Sequence, residues 1–133
     1  MIFMTTDQTR DVANVAAEHR NETAISMRTI LDLSQQIAQV FHPEKIILFG
    51  SYADGQPTAD SDVDLMVLMN TSLRNRQQAA LIARALDYHF GLDLLVRTPE
   101  QFQERIALGD PFVRRIAQTG KVLYERAQPG MGG

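Results

Sequence analysis

The sequence predicts an α/β (α+β) domain built on a small β-sheet flanked by helices. Three observations carry this. Apolar residues recur at helical spacing over 27–41. Two short, mostly apolar runs, 45–49 and 63–69, are bounded by Gly, Ser, Pro and Asp. Helical spacing then returns between and after the strand candidates. At 133 residues, with 44% hydrophobic and 22% charged residues, the chain has the size and composition of one globular domain. The expected layout is a single domain over 1–133: a helical segment over 7–42, a core over 45–97, helices over 99–126 and a loose tail over 127–133.

The elements follow in order. Val12, Val15, Ala16 and His19 place a helix over 7–20. Met27, Ile30, Leu31, Ser34, Ile37, Ala38 and Phe41 form a clearer stripe, and Pro43 ends that helix near Phe41 or His42. Lys45 to Phe49 is a strand buried on both faces and stopped by Gly50. The segment 50–61 is a loop with room for one helical turn. Val63 to Met69 is a second buried strand. Asn70, Thr71 and Ser72 offer caps for a helix over 73–90 carrying Ala79, Ile82, Ala83 and Leu86, with Gly91 as its stop. Leu92 to Val96 is a third strand. Pro99 opens a helix with Phe102, Ile106 and Ala107, and Asp110 caps another over 111–118 that Gly120 ends. Lys121 to Glu125 is a last extended piece, and the Gly/Pro-rich end is expected to be loose.

Composition excludes several function classes. The chain has no cysteine, so disulfides, zinc–thiolate sites and thiol nucleophiles are out. No apolar run reaches membrane-spanning length and the first residues do not read as a signal peptide, so a cytoplasmic address is expected. Thirteen Lys and Arg against 16 Asp and Glu give a net charge of -3, which argues against direct nucleic-acid binding. His19, His42 and His89 lie apart, without metal-ligand spacing. Tyr52 and Tyr124 read as packing residues. Arg74, Arg76, Arg84 and Arg97 are the candidates for reaching a phosphate.

The informative residues are acids inside strands. Asp62 and Asp64 stand at positions i and i+2, so both side chains leave one face, and Asp93 interrupts the next strand. Burying a carboxylate alone costs several kcal/mol, and a shared divalent cation is the simplest remedy. Oxygen ligands without Cys or spaced His favour Mg²⁺ or Mn²⁺. Gly50 and Ser51, directly after a buried strand, supply a bend that a phosphate can approach closely.

The stretch Leu48-Phe49-Gly50-Ser51-Tyr52-Ala53-Asp54-Gly55, followed by Ser61-Asp62-Val63-Asp64-Leu65, resembles the signature of the DNA polymerase β nucleotidyltransferase superfamily. Ten residues separate Ser51 from Asp62, and Asp93 falls where that superfamily keeps its third carboxylate. Size and spacing are similar to the minimal nucleotidyltransferases (MNT), antitoxins paired with HEPN-domain toxins. The resemblance implies a small mixed sheet of the polymerase β type. It implies Asp62, Asp64 and Asp93 as catalytic metal ligands for Mg²⁺, Gly50 and Ser51 as nucleotide-binding residues, and ATP as substrate. It further implies AMP transfer to a tyrosine of a HEPN toxin and a hetero-oligomer with it. Because sheet and covering helices take nearly the whole chain, the acceptor is expected to bring its own binding surface. A non-catalytic steric antitoxin and a small-molecule nucleotidyltransferase are the alternatives. One departure stands out: many relatives carry a basic residue where this chain has Asp54.

Overall fold

Ile46, Ile47, Leu48 and Phe49 are all buried because their strand, β1 (Lys45–Phe49), lies inside a sheet covered on both faces. The computed structural model describes residues 24–127. The expected helix over 7–20 and the tail from 128 onward lie outside them.

The sheet has four strands in the order β3-β2-β1-β4. β2 (Val63–Leu68) runs antiparallel to β1, and β3 (Leu92–Arg97) runs parallel to β2. The last extended piece is a full strand, β4 (Lys121–Glu125), antiparallel to β1 with an irregularity at Ile46/Ile47. The sheet is therefore mixed, as the motif resemblance implied.

Alternation along the strands divides the core in two. Ile46, Leu48, Val63, Leu65 and Val67 face α1 (Met27–Phe41) and α3 (Asn75–Ala85), which contribute Ile30, Leu33, Ile37 and Ile82. Ile47, Phe49, Met66 and Leu68 face α4 (Pro99–Ala107) and α5 (Pro111–Thr119), which contribute Phe102, Val113 and Ile116. A four-residue helix, α2 (Ser51–Asp54), is the single turn foreseen after Gly50.

Local signals fix most helix ends. Ser26 Oγ accepts from Thr29 N at 3.1 Å and starts α1, and His42 ends it in the left-handed region. Leu33 is buried and Met27 and Leu31 are partly exposed, so the α1 stripe is rotated from the one read in the sequence. Asp110 Oδ1 accepts from Phe112 N and Val113 N and caps α5 as expected.

One helix is shorter than expected. α3 stops at Ala85, whereas helical spacing extended it to Phe90. Leu86, Tyr88 and Phe90 pack against the core, while Asp87 and His89 between them are exposed. That is a period of two, and it belongs to extended chain. The rings of Tyr88 and Phe90 lie 5.6 Å apart, so side-chain packing overrides helix continuation on the way into parallel β3.

Candidate active site

Strand register assembles the acids. Antiparallel pairing sets Phe49 opposite Asp64, and parallel pairing sets Asp64 beside Asp93. Phe49, Asp64 and Asp93 thus form one row across three strands. Asp62, one residue before β2, continues the alternation onto the side of Asp64: its Oδ1 lies against Gly91 and its charge acts on Asp64.

Two glycines make room for two of these carboxylates. Gly50 has φ 75°, a region L side chains rarely adopt, and a Cβ there would collide with Asp64 Oδ2. A Cβ on Gly91 would collide with Asp62 Oδ1. Each acid therefore lies against bare backbone at the end of the sheet.

Exposure separates the three. Asp64 is half-buried, while Asp62 and Asp93 are exposed, so the expectation of buried acids holds only for Asp64. Burial, then the Asp93 charge, then the Asp62 charge push the Asp64 carboxyl from 3.8 up to about 6. Mutual repulsion of this kind is what a divalent cation relieves, and the donors are all hard carboxylate oxygens. Among the described residues no three His, Asp or Glu side chains form a ready-made ion cage. The acids share a face and a field, and on those two grounds they fit Mg²⁺ or a similar ion.

A cavity of about 420 Å³ opens beside the row. That volume suits a small-molecule ligand. Gly50, Asp64 and Asp93 line it, and Phe49, Phe112 and Ile116 make an apolar wall. The Phe49 and Phe112 rings meet edge to face, 5.6 Å apart at 86°. Ser51 and Asp62 do not reach this lining: Ser51 opens α2 just behind it, and Asp62 rests on Gly91.

The cation in the lining is Arg115, which sequence reading passed over. Its Nη2 lies 3.2 Å from Asp54 Oδ2. Arg76 and Arg97 instead line a separate cleft between α3 and β3, and Arg97 Nη1 donates to the Val96 carbonyl at 2.7 Å. Arg74 and Arg84 are exposed and line neither. The available sequence signal was the Arg114-Arg115 pair inside the Val113/Ile116 stripe, but nothing local says which arginine reaches the cavity.

Comparison with known proteins agrees with this architecture. Residues 32–129 match the family model described as "Polymerase beta, Nucleotidyltransferase". A protein of Methanocaldococcus jannaschii named "Putative protein adenylyltransferase" is 32% identical over 81 residues, spanning 61% of this chain and 78% of its own length. A crystal structure from Sulfolobus solfataricus, described as a "putative nucleotidyltransferase", shares the fold at 16% identity. It covers 84% of this chain and 87% of its own, with a TM-score of 0.56. A mutant of the toxin–antitoxin pair MntA-HpeT superposes more loosely, at 24% identity over 79% of this chain and 76% of its own, with a TM-score of 0.43.

Proposed function

The chain belongs to the polymerase β nucleotidyltransferase family and is a nucleotidyltransferase, and from that premise we propose that it transfers AMP from ATP to a tyrosine hydroxyl of a HEPN-domain toxin, acting as its antitoxin. The observation that carries the reading is the Asp64–Asp93 row, with Asp62 on the same face, at the mouth of a cavity whose rim is Gly50. A protein acceptor is favoured by the name of the M. jannaschii relative. The HEPN partner is what the motif resemblance implies.

Asp62, Asp64 and Asp93 would hold Mg²⁺. When bound, it would supply the charge that steadies the attacking and leaving oxygens of an in-line displacement at the α-phosphorus. The bond formed joins the acceptor oxygen to the α-phosphorus. The bond broken releases pyrophosphate.

The chain's own groups do the rest. Asp93 lies on an edge strand and is exposed, so an acceptor hydroxyl can reach it and give up its proton there. Gly50 lacks the Cβ that would fill the approach to Asp64, and Ser51 places a hydroxyl and a backbone N–H just beyond it. Phe49 and Ile116, both buried, with Phe112 edge-on to Phe49, would give the nucleotide an apolar wall to pack against.

The test is incubation of the protein with labelled ATP, Mg²⁺ and the HEPN-domain protein encoded beside it. Label is expected on a tyrosine of that neighbour, and the variant Asp62→Asn/Asp64→Asn should transfer none. ATP binding without label on the neighbour removes the protein-acceptor reading. Silencing of the neighbour by the double variant without transfer establishes steric antitoxin action instead.

A further inference from the structure

We propose that Arg115 is the cation that binds the triphosphate in the cavity, and that Asp54 is the residue that positions it. The proposal deepens the nucleotide reading above and rests on it.

A nucleoside triphosphate is strongly anionic, and the cavity's acids alone would repel it. Among the side chains lining the cavity, Arg115 is the cation. A guanidinium offers five N–H donors in a planar fork suited to phosphate oxygens. Asp54 is the acid within ion-pair distance of Arg115 among the described residues, and it engages Nη2. The other donors are left for a ligand.

The Arg115–Asp54 pair is a poor stabiliser of the fold. The two side chains are 68% and 39% exposed, and an exposed single-point pair contributes little. Its neighbour gives the contrast: Arg114 Nε donates to the Ile106 carbonyl at 3.0 Å and helps join α5 to α4. Two adjacent arginines thus have different employment, one in the scaffold and one at the cavity.

Arg115 shares the cavity lining with Asp64 and Asp93, and among the described residues its ion pair is with Asp54 rather than with either of them. Released from Asp54, the guanidinium would have those two acids as partners in the same cavity, and pairing with them would obstruct both the cation and the phosphate positions. Asp54 ends α2, the turn that begins at Gly50, so it ties Arg115 to the loop bordering the cavity.

The experiment measures binding of ATP and of adenosine to the full chain in Mg²⁺ by calorimetry. Arg115→Ala and the bulkier Arg115→Gln should each weaken ATP about tenfold or more, leave adenosine unchanged and melt like wild type. Arg115→Lys should recover part of the loss. Asp54→Asn should weaken ATP a few-fold when Arg115 is present, and add nothing in the Arg115→Ala background. Equal ATP affinity in wild type and both neutral Arg115 variants overturns the Arg115 assignment while leaving the nucleotide reading intact. An Asp54→Asn effect of the same size in both backgrounds overturns the positioning role. Failure of the wild-type protein to bind ATP overturns the inference and the nucleotide reading together.

Discussion

The two faces of the sheet are made from the same strands and serve different ends. Toward α1 and α3, Ile46, Leu48, Val63, Leu65 and Val67 are fully buried and close against Ile30, Ile37 and Ile82. Toward α4 and α5, Ile47, Phe49, Met66 and Leu68 begin a similar core, but it ends at Asp64, Asp62 and Asp93 and a cavity. In β2 the division is a simple alternation: Val63, Leu65 and Val67 hold the fold, and the acids precede and interrupt the other row. One face excludes water. The other sets like charges side by side, an arrangement that costs stability at neutral pH and that the proposed cation would relieve.

That contrast is open to direct challenge. The largest effect expected is on the sealed face. Leu65→Ala should lower unfolding free energy by about 2–5 kcal/mol, read as a reduced midpoint in urea. A smaller cost would mean the face repacks easily.

Next comes the other row of the same strand. Asp64→Asn should reduce nucleotidyl transfer on the order of 100-fold or more while leaving the metal-free protein at least as stable at pH 7. The opposite outcome, a large loss of stability with transfer retained, would make Asp64 a structural residue.

Two acids then sharpen the comparison through pH. Asp64 is raised from 3.8 to about 6 in the folded chain by burial, Asp93 and Asp62. Its contribution to stability is therefore full below about pH 3.8 and is lost as pH rises through about 6. Asp110 is lowered from 3.8, chiefly by the Val113 N–H, with Arg105 and the Phe112 N–H helping. Its contribution is present above about pH 3.8 and is lost as pH falls further. Urea titrations of the metal-free protein from pH 3 to pH 7 should show Asp64→Asn flattening the upper part of the profile and Asp110→Asn the lower part. Mg²⁺ should stabilise the wild type more at pH 7 than at pH 5, because protons compete for the same oxygens.

The smallest effect is expected at the α5 cap. Asp110→Ala should lower the melting temperature by a few degrees, checked by calorimetry, because two backbone N–H groups lose their acceptor. ATP affinity should stay near wild type if the cap serves only the fold, and a parallel fall would show that α5 must be held to present Arg115.

Much of the scaffold was legible because its signals are local. Gly50 after an apolar run, Pro99 and Asp110 at helix starts and the 27–41 stripe each act within a few residues. The helix extended past Ala85 failed because Leu86 fits a helical face and a strand-like alternation equally well. Only the core decided that Tyr88 and Phe90 would point inward with it. Arg115 was invisible as a site residue because its partner, Asp54, is distant in sequence and adjacent only after α5 folds over the sheet.

The sequence alone therefore determined that Asp62 and Asp64 share a face, since the strand repeat is two residues, and that a glycine bend precedes them. Tertiary structure decided which residues stand beside them. Strand register brought Asp93 to Asp64, left Asp62 on Gly91, and packing of α5 delivered Arg115. Periodicity is encoded in neighbouring residues, whereas register and helix placement depend on contacts that exist only once the whole sheet is buried on both sides.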